Sequence, residues 1–166
     1  MDECVCGRKM VDPIGLKDAK ILIVGDEPDF NDLRVNMPYS GDRGEVLRKE
    51  LSRVGIDLRQ CRITFLWRHE STKGSECKGH MGDVLREMKN HPYVLLIGAS
   101  TVKAFGISNI DTLIGLPVES VFFPENVKVV TVVTNPPQHS AVGEFRLGLE
   151  KFYKRVQEHE TLGLEE

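Results

Sequence analysis

Three short runs of consecutive apolar residues set the architecture this chain can adopt. Ile21-Leu22-Ile23-Val24-Gly25, Tyr93-Val94-Leu95-Leu96-Ile97 and Val127–Val133 (broken by Lys128) are rich in β-branched side chains. A strand with one wet face alternates apolar and polar residues, whereas a strand buried on both faces reads as a continuous run. Segments with helical spacing lie between the runs. Val46, Leu47, Leu51 and Val54 share one side of residues 43–54, and Gly55 supplies a stop. Met81, Val84, Leu85 and Met88 fall at i, i+3, i+4 and i+7, ahead of His91-Pro92. Phe145, Leu149, Phe152 and Val156 place a final helix. A second strand is expected over Arg62–Trp67, a short helix over Ala99–Phe105 and an edge strand near Val118–Phe123. This alternation predicts an α/β fold: a three-layer α/β/α sandwich on a mainly parallel sheet of four to five strands.

At 166 residues the chain suits one domain, 1–166. Within it, residues 1–20 form an arm without clear periodicity, and the acidic stretch 158–166 is expected to fray. Twenty-two basic and 25 acidic residues give a charge of −3, so no polybasic tail marks a nucleic-acid partner. A local basic rim on one cleft would suffice for one. No apolar run approaches the ~20 residues of a membrane helix, and Met1-Asp2-Glu3 is not a secretory start. The expectation is a cytoplasmic monomer with no membrane partner. Four cysteines, at 4, 6, 61 and 77, are too few and too scattered for a disulfide framework. They read as reduced thiols, or the Cys4-Val5-Cys6 pair joins later ligands at a metal or iron–sulfur site.

In an open parallel sheet, ligands gather beyond the carboxyl ends of the strands. Four segments begin where a strand is expected to stop: Gly25–Phe30, Trp67–Cys77, Gly98–Thr101 and Thr134–Ser140. The Gly25 turn has no G-x-G-x-x-G fingerprint, which argues against dinucleotide binding. It carries three acids instead, Asp26, Glu27 and Asp29. Acids in such a turn serve either as helix N-terminal and turn carboxylates or as chemistry.

Val24-Gly25-Asp26-Glu27-Pro28-Asp29 resembles the strand-ending motif of the uracil-DNA glycosylase superfamily, most closely its iron–sulfur branch with G-E-A-P-G. That family follows with G-x-P-F-x-G-x-x-G-x-x-L, matched by Asn36-Met37-Pro38-Tyr39-Ser40-Gly41-Asp42-Arg43-Gly44-Glu45-Val46-Leu47. Its I-T-N-x-x-K-C falls on Ile63–His69, its L-G-x-x-A on Ile97–Thr101, and its H-P-x-x-x-L-R loop on Asn135–Ala141. The matches run in order over residues 4 to about 155.

The resemblance implies hydrolysis of the N-glycosidic bond of uracil or another damaged base in DNA, with the base flipped out of the helix. A carboxylate is then needed beside an oxocarbenium-like sugar or to hold the attacking water. The resemblance puts Glu27 first and Asp26 second in that role, and Asn135 where a histidine stabilises the departing base. Gly25, Pro28, Asp29, Tyr39, Phe65 and His139 are the implied substrate-binding residues, Tyr39 as the aromatic that stacks on the base. Phe65 replaces an asparagine that pairs with the uracil edge, and a site without that partner discriminates less. The family cluster maps onto Cys4, Cys6, His69 and Cys77, a set able to hold a 4Fe-4S cluster or zinc. Arg43, Arg68, Lys73, Lys78 and Arg146 are candidates to grip phosphates, and Val142 is the nearest apolar wedge. A relative that binds DNA or a nucleotide without excision is the alternative, and an enzyme of free nucleosides or nucleotides a more remote one.

Overall fold

A computed structural model of the chain describes residues 3–71, 77, 79–137 and 142–165. Four strands form one all-parallel sheet: β1 (Ile21–Gly25), β2 (Arg62–Phe65), β3 (Tyr93–Ile97) and β4 (Val129–Val133), in the order β2-β1-β3-β4. β1 pairs Val24 with Thr64 of β2 on one side and with Leu96 of β3 on the other. Leu96 in turn faces Val132 of β4. The continuous apolar runs are explained by burial on both faces. Ile23, Leu95, Ile97 and Val133 point to one side, and Leu22, Val24, Val94, Leu96 and Val132 to the other.

Helices α1 (Phe30–Val35) and α2 (Asp42–Val54) follow β1, and α3 (Met81–Met88) follows β2. Helices α4 (Ala99–Ala104) and α5 (Ile110–Leu113) join β3 to β4, and α6 (Gly143–Glu165) closes the chain. Leu47 and Leu51 of α2 pack with Phe145, Leu149, Phe152 and Val156 of α6 over one face of the sheet. Val84 and Met88 of α3 and Val102 of α4 cover the opposite face. This is the expected three-layer sandwich. The helix α6 continues as far as Glu165, through the acidic stretch for which fraying is expected. No helix among the described residues is long and apolar enough to cross a membrane.

Two strand expectations need correction. The second strand stops at Phe65 rather than Trp67, although Leu66 and Trp67 still donate to the carbonyls of Gly25 and Asp26 at 2.8 and 2.9 Å. No strand forms over Val118–Phe123. The Val118 N–H bonds the Val130 carbonyl at 3.0 Å, and Pro117 bridges Thr131. Ser120 then turns the chain away, its hydroxyl donating to the Phe105 carbonyl at 2.7 Å.

The open edge of β2 is covered by the N-terminal arm. Ile14 and Ile63 exchange backbone hydrogen bonds of 3.0 and 2.8 Å in antiparallel fashion, and the Val11 N–H donates to the Arg68 carbonyl at 2.6 Å. Covering an edge removes the unpaired donors and acceptors that invite association. It also carries Cys4 and Cys6 toward the loop that leaves β2.

Candidate functional site

The chain leaves β1 toward β2 on one side and returns to β3 on the other, so the carboxyl ends of β1 and β3 border the crevice where such sheets bind ligands. Asp26 is the first residue past β1. Its Oδ1 accepts from the Glu27 N–H at 2.8 Å and from Arg43 Nη1 at 3.2 Å. Its Oδ2 accepts from Asn135 Nδ2 at 3.2 Å. Asn135 is exposed, two residues beyond β4. Residues far apart in the chain thus meet at one carboxylate.

Arg43, in the first turn of α2, organises the turn from behind. Its Nη2 donates to the Glu27 carbonyl at 2.9 Å and lies 3.7 Å from Asp32 Oδ2. Its guanidinium sits 4.9 Å over the Tyr39 ring, within cation–π range. Glu27 faces another neighbour: its Oε2 accepts both the backbone N–H of Ser71, at 2.8 Å, and the Ser71 hydroxyl. Pro28 is buried, and Asp29 caps α1. The Asp29 Oδ1 accepts from the Asp32 N–H at 2.9 Å while Asp32 Oδ2 accepts from the Asp29 N–H at 3.3 Å, a reciprocal capping box.

Asp32 is fully buried. Burial pushes its carboxyl above the usual range, and hydrogen bonds from Ser40 oppose the shift. Those bonds, from the Ser40 N–H at 2.8 Å and hydroxyl at 2.9 Å, pin the residue after Tyr39. Tyr39 itself adopts a left-handed backbone, φ 54°. Two glycines make room for it. A Cβ on Gly44 would stand 1.7 Å from the Tyr39 carbonyl oxygen, and one on Gly25 would stand 2.3 Å from the Tyr39 hydroxyl and 2.9 Å from the Phe65 ring.

Tyr39 and Phe65 are both buried, with ring centroids 5.3 Å apart. Burial pushes the Tyr39 phenol up, so the hydroxyl keeps its proton. Among the described residues neither that hydroxyl nor Arg43 Nε has a hydrogen-bond partner. A buried polar group left so costs about 1–3 kcal/mol. Beside them opens a pocket of about 780 Å³ lined by Asp29, Phe30, Tyr39, Ser40, Arg43 and Arg48. Phe30, at its mouth, is 81% exposed.

A second cluster gathers where the arm meets the β2–α3 loop. Cys4, His69, Cys77 and His80 each place a potential ligand atom within 4.8 Å of the others. Cys4 Sγ lies 3.6 Å from Cys77 Sγ and 3.3 Å from His80 Nε2. His69 Nε2 lies 3.4 Å from both Cys6 Sγ and Cys77 Sγ. Trp67 borders both imidazoles, its ring centroid 6.0 Å from that of His69 and 6.5 Å from that of His80.

Of the residues singled out in the sequence, Gly25, Asp26, Tyr39, Phe65 and Asn135 therefore converge around the end of β1. Glu27 and Asp29 flank them with their carboxylates already bonded. Cys4, Cys6, His69 and Cys77 form the separate sulfur–imidazole cluster. His139, Lys73 and Lys78 lie outside the described residues. Arg68 is buried and paired with Asp83 at 3.2 Å, and Arg146 holds Glu50, so both are structural cations. Sequence reasoning missed Asp32, Ser71, Phe30 and His80. The Asp29-x-x-Asp32 box and the Cys77-x-x-His80 spacing were the available signals for two of them.

A model of the Uracil DNA glycosylase superfamily matches residues 13–158 of the chain. No curated protein matches it.

Proposed function

Because this chain belongs to the uracil-DNA glycosylase superfamily, we propose that it hydrolyses the N-glycosidic bond of a modified base in DNA, with Asp26 as the carboxylate nearest the reaction. The observation that carries this reading is the meeting of Asp26, Arg43 and Asn135 at the carboxyl end of β1. The glycosidic bond breaks with its electron pair leaving on the base, and positive charge develops on the sugar. The Asp26 carboxylate, held between Arg43 and Asn135, stabilises that charge and orients a water. The water adds its oxygen to the sugar carbon and keeps one proton there as the new hydroxyl, while its other proton passes by way of the solvent to the departing base. Asn135 has a second amide hydrogen to offer the departing base, a neutral form of anion stabilisation.

Glu27 supports this arrangement by fixing the Ser71 loop through two hydrogen bonds to one oxygen. Tyr39 and Arg43 line the pocket beside the turn, with the buried Gly25 and Phe65 packed against the Tyr39 side chain. Phe30 offers the exposed ring on which an extruded base stacks. Phe65, where the resemblance implies a base-pairing asparagine, cannot hydrogen-bond and is buried beside Tyr39, so more than one modified base is accepted. Apolar walls separate similar ligands by only about 1–3 kcal/mol.

A second reading has its own support. Phe65 is 1% exposed and Glu27 is already engaged, which suits a relative that binds DNA without excising anything. One experiment separates the two. Single- and double-stranded oligonucleotides carrying uracil, hypoxanthine, xanthine or hydroxymethyluracil are incubated with the protein and then treated with alkali. Strand breaks that disappear in Asp26→Asn support excision. Tight binding without breaks supports the binding reading.

A further inference from the structure

We infer that the sulfur–imidazole cluster is a site for one tetrahedral zinc ion, held by Cys4, Cys6, Cys77 and His69, and not for an iron–sulfur cluster. The distances carry the first half of this. A Zn–S bond of about 2.3 Å and a Zn–N bond of about 2.0–2.1 Å put neighbouring tetrahedral ligands about 3.5–3.8 Å apart. The structure gives 3.6 Å for Cys4–Cys77 and 3.4 Å for Cys6–His69 and Cys77–His69. A four-iron cubane sits between its thiolates and forces them further apart than a single ion does. The spacing of this cluster does not fit it.

Hydrogen bonding decides which imidazole is the ligand. His69 Nδ1 lies 2.9 Å from the Glu70 carbonyl, and a carbonyl only accepts. Nδ1 therefore carries the proton, and Nε2 turns a lone pair toward Cys6 and Cys77. His80 is the reverse. Its Nδ1 accepts the backbone N–H of Arg68 at 3.0 Å, so in the neutral ring Nε2 carries the proton. That N–H points at Cys4 Sγ, 3.3 Å away, as a donor to a thiolate and not as a metal ligand. Donors of this kind orient and tune metal ligands. The ion would join the arm that covers β2 to the loop bearing Ser71, and so brace the bond to Glu27.

The test uses the full chain, purified from cells grown with both zinc and iron. One zinc per chain with neither iron nor acid-labile sulfide is the expected result. Iron with sulfide, or a protein that holds no zinc after titration with zinc sulfate, overturns the proposal. X-ray absorption at the zinc edge of the unaltered protein reads the ligands directly: three sulfurs and one nitrogen are expected, and two of each would refute the set. In chelator competition, Cys6→Ser loses stoichiometric zinc. His80→Gln keeps one zinc per chain with an affinity about 10–100-fold weaker. The opposite pattern would make His80 the ligand. None of these readouts depends on whether the crevice excises bases.

Discussion

Arg43 couples the core to the crevice, and Arg43→Met puts that coupling to a quantitative test. The substitution keeps most of the aliphatic stem and removes the guanidinium. Two hydrogen bonds disappear, at 3.2 Å to Asp26 and 2.9 Å to the Glu27 carbonyl. Hydrogen bonds involving a charged group contribute about 1.5–3 kcal/mol each. The fully buried Asp32 also loses its cation at 3.7 Å, while keeping three donors from Asp29 and Ser40. Losing one partner of a buried pair costs about 3–5 kcal/mol when nothing else compensates. Allowing for the remaining donors and for part-exposure of Arg43, a net loss of about 3 kcal/mol is expected. At about 2–4 °C per kcal/mol for a domain of this size, Tm falls by about 6–12 °C. Urea unfolding followed by far-UV circular dichroism measures the loss. A cycle with Asp32→Asn should then show a coupling of at least about 1 kcal/mol. A loss under about 1 kcal/mol would place Arg43 among ordinary surface ion pairs and refute the reasoning. Strict additivity with Asp32→Asn would do the same.

Two further outcomes follow from other parts of the molecule. Glu87 is held down to about 2 by the hydrogen bond from His91 and then by that from Arg62. A depressed carboxylate stabilises the fold above its unfolded pKa, near 4.5, and loses that contribution as pH falls toward 2. Thermal melts between pH 5 and 2 should show about 3 kcal/mol less acid loss in Glu87→Gln than in the parent. Parallel curves would exclude this residue as a source of acid sensitivity. Gly44→Ala places a Cβ 1.7 Å from the Tyr39 carbonyl, which only a backbone shift can relieve. We expect a loss of about 1–3 kcal/mol, together with quenching-accessible Tyr39, whereas unchanged stability would mean that the α2–Tyr39 approach is soft.

Much of the architecture was legible because it rests on runs that nothing else explains. Ile21–Gly25, Tyr93–Ile97 and the apolar stretch to Val133 each became a strand, since only burial on both faces suits them. The four-residue α5 and six-residue α1 escaped notice because a helix of that length shows no periodicity. For α1 the signal was chemical instead, an aspartate pair at capping-box spacing. Val118–Phe123 has strand-forming residues, yet one hydrogen bond to Val130 and the Ser120 turn decide its course. Propensity there yielded to tertiary context.

The site divides in the same way. Motif order alone points to the turn after Gly25 and to a grouping of Cys4, Cys6, His69 and Cys77. It could not say which acid faces Asn135, because adjacent residues in a turn point in different directions. Glu27 and Asp26 are neighbours in sequence, but one reaches Ser71 and the other Asn135. Nor could it foresee His80, whose role depends on a backbone N–H from Arg68. Tyr39 was legible as an aromatic at the site, while its packing between Arg43 and Phe65 is a property of three separate elements.

Single-turnover release of free base, read by mass spectrometry from an oligonucleotide carrying the modified base that the protein excises, tests the central assignment most directly. With Asp26 as the reacting carboxylate, Asp26→Asn should slow release by about 10²-fold or more, as for loss of a general acid–base or charge-stabilising group. Glu27→Gln, which disturbs only the Ser71 loop, should slow it less. Equal rates for Asp26→Asn and the parent would contradict the account, as would a larger loss in Glu27→Gln.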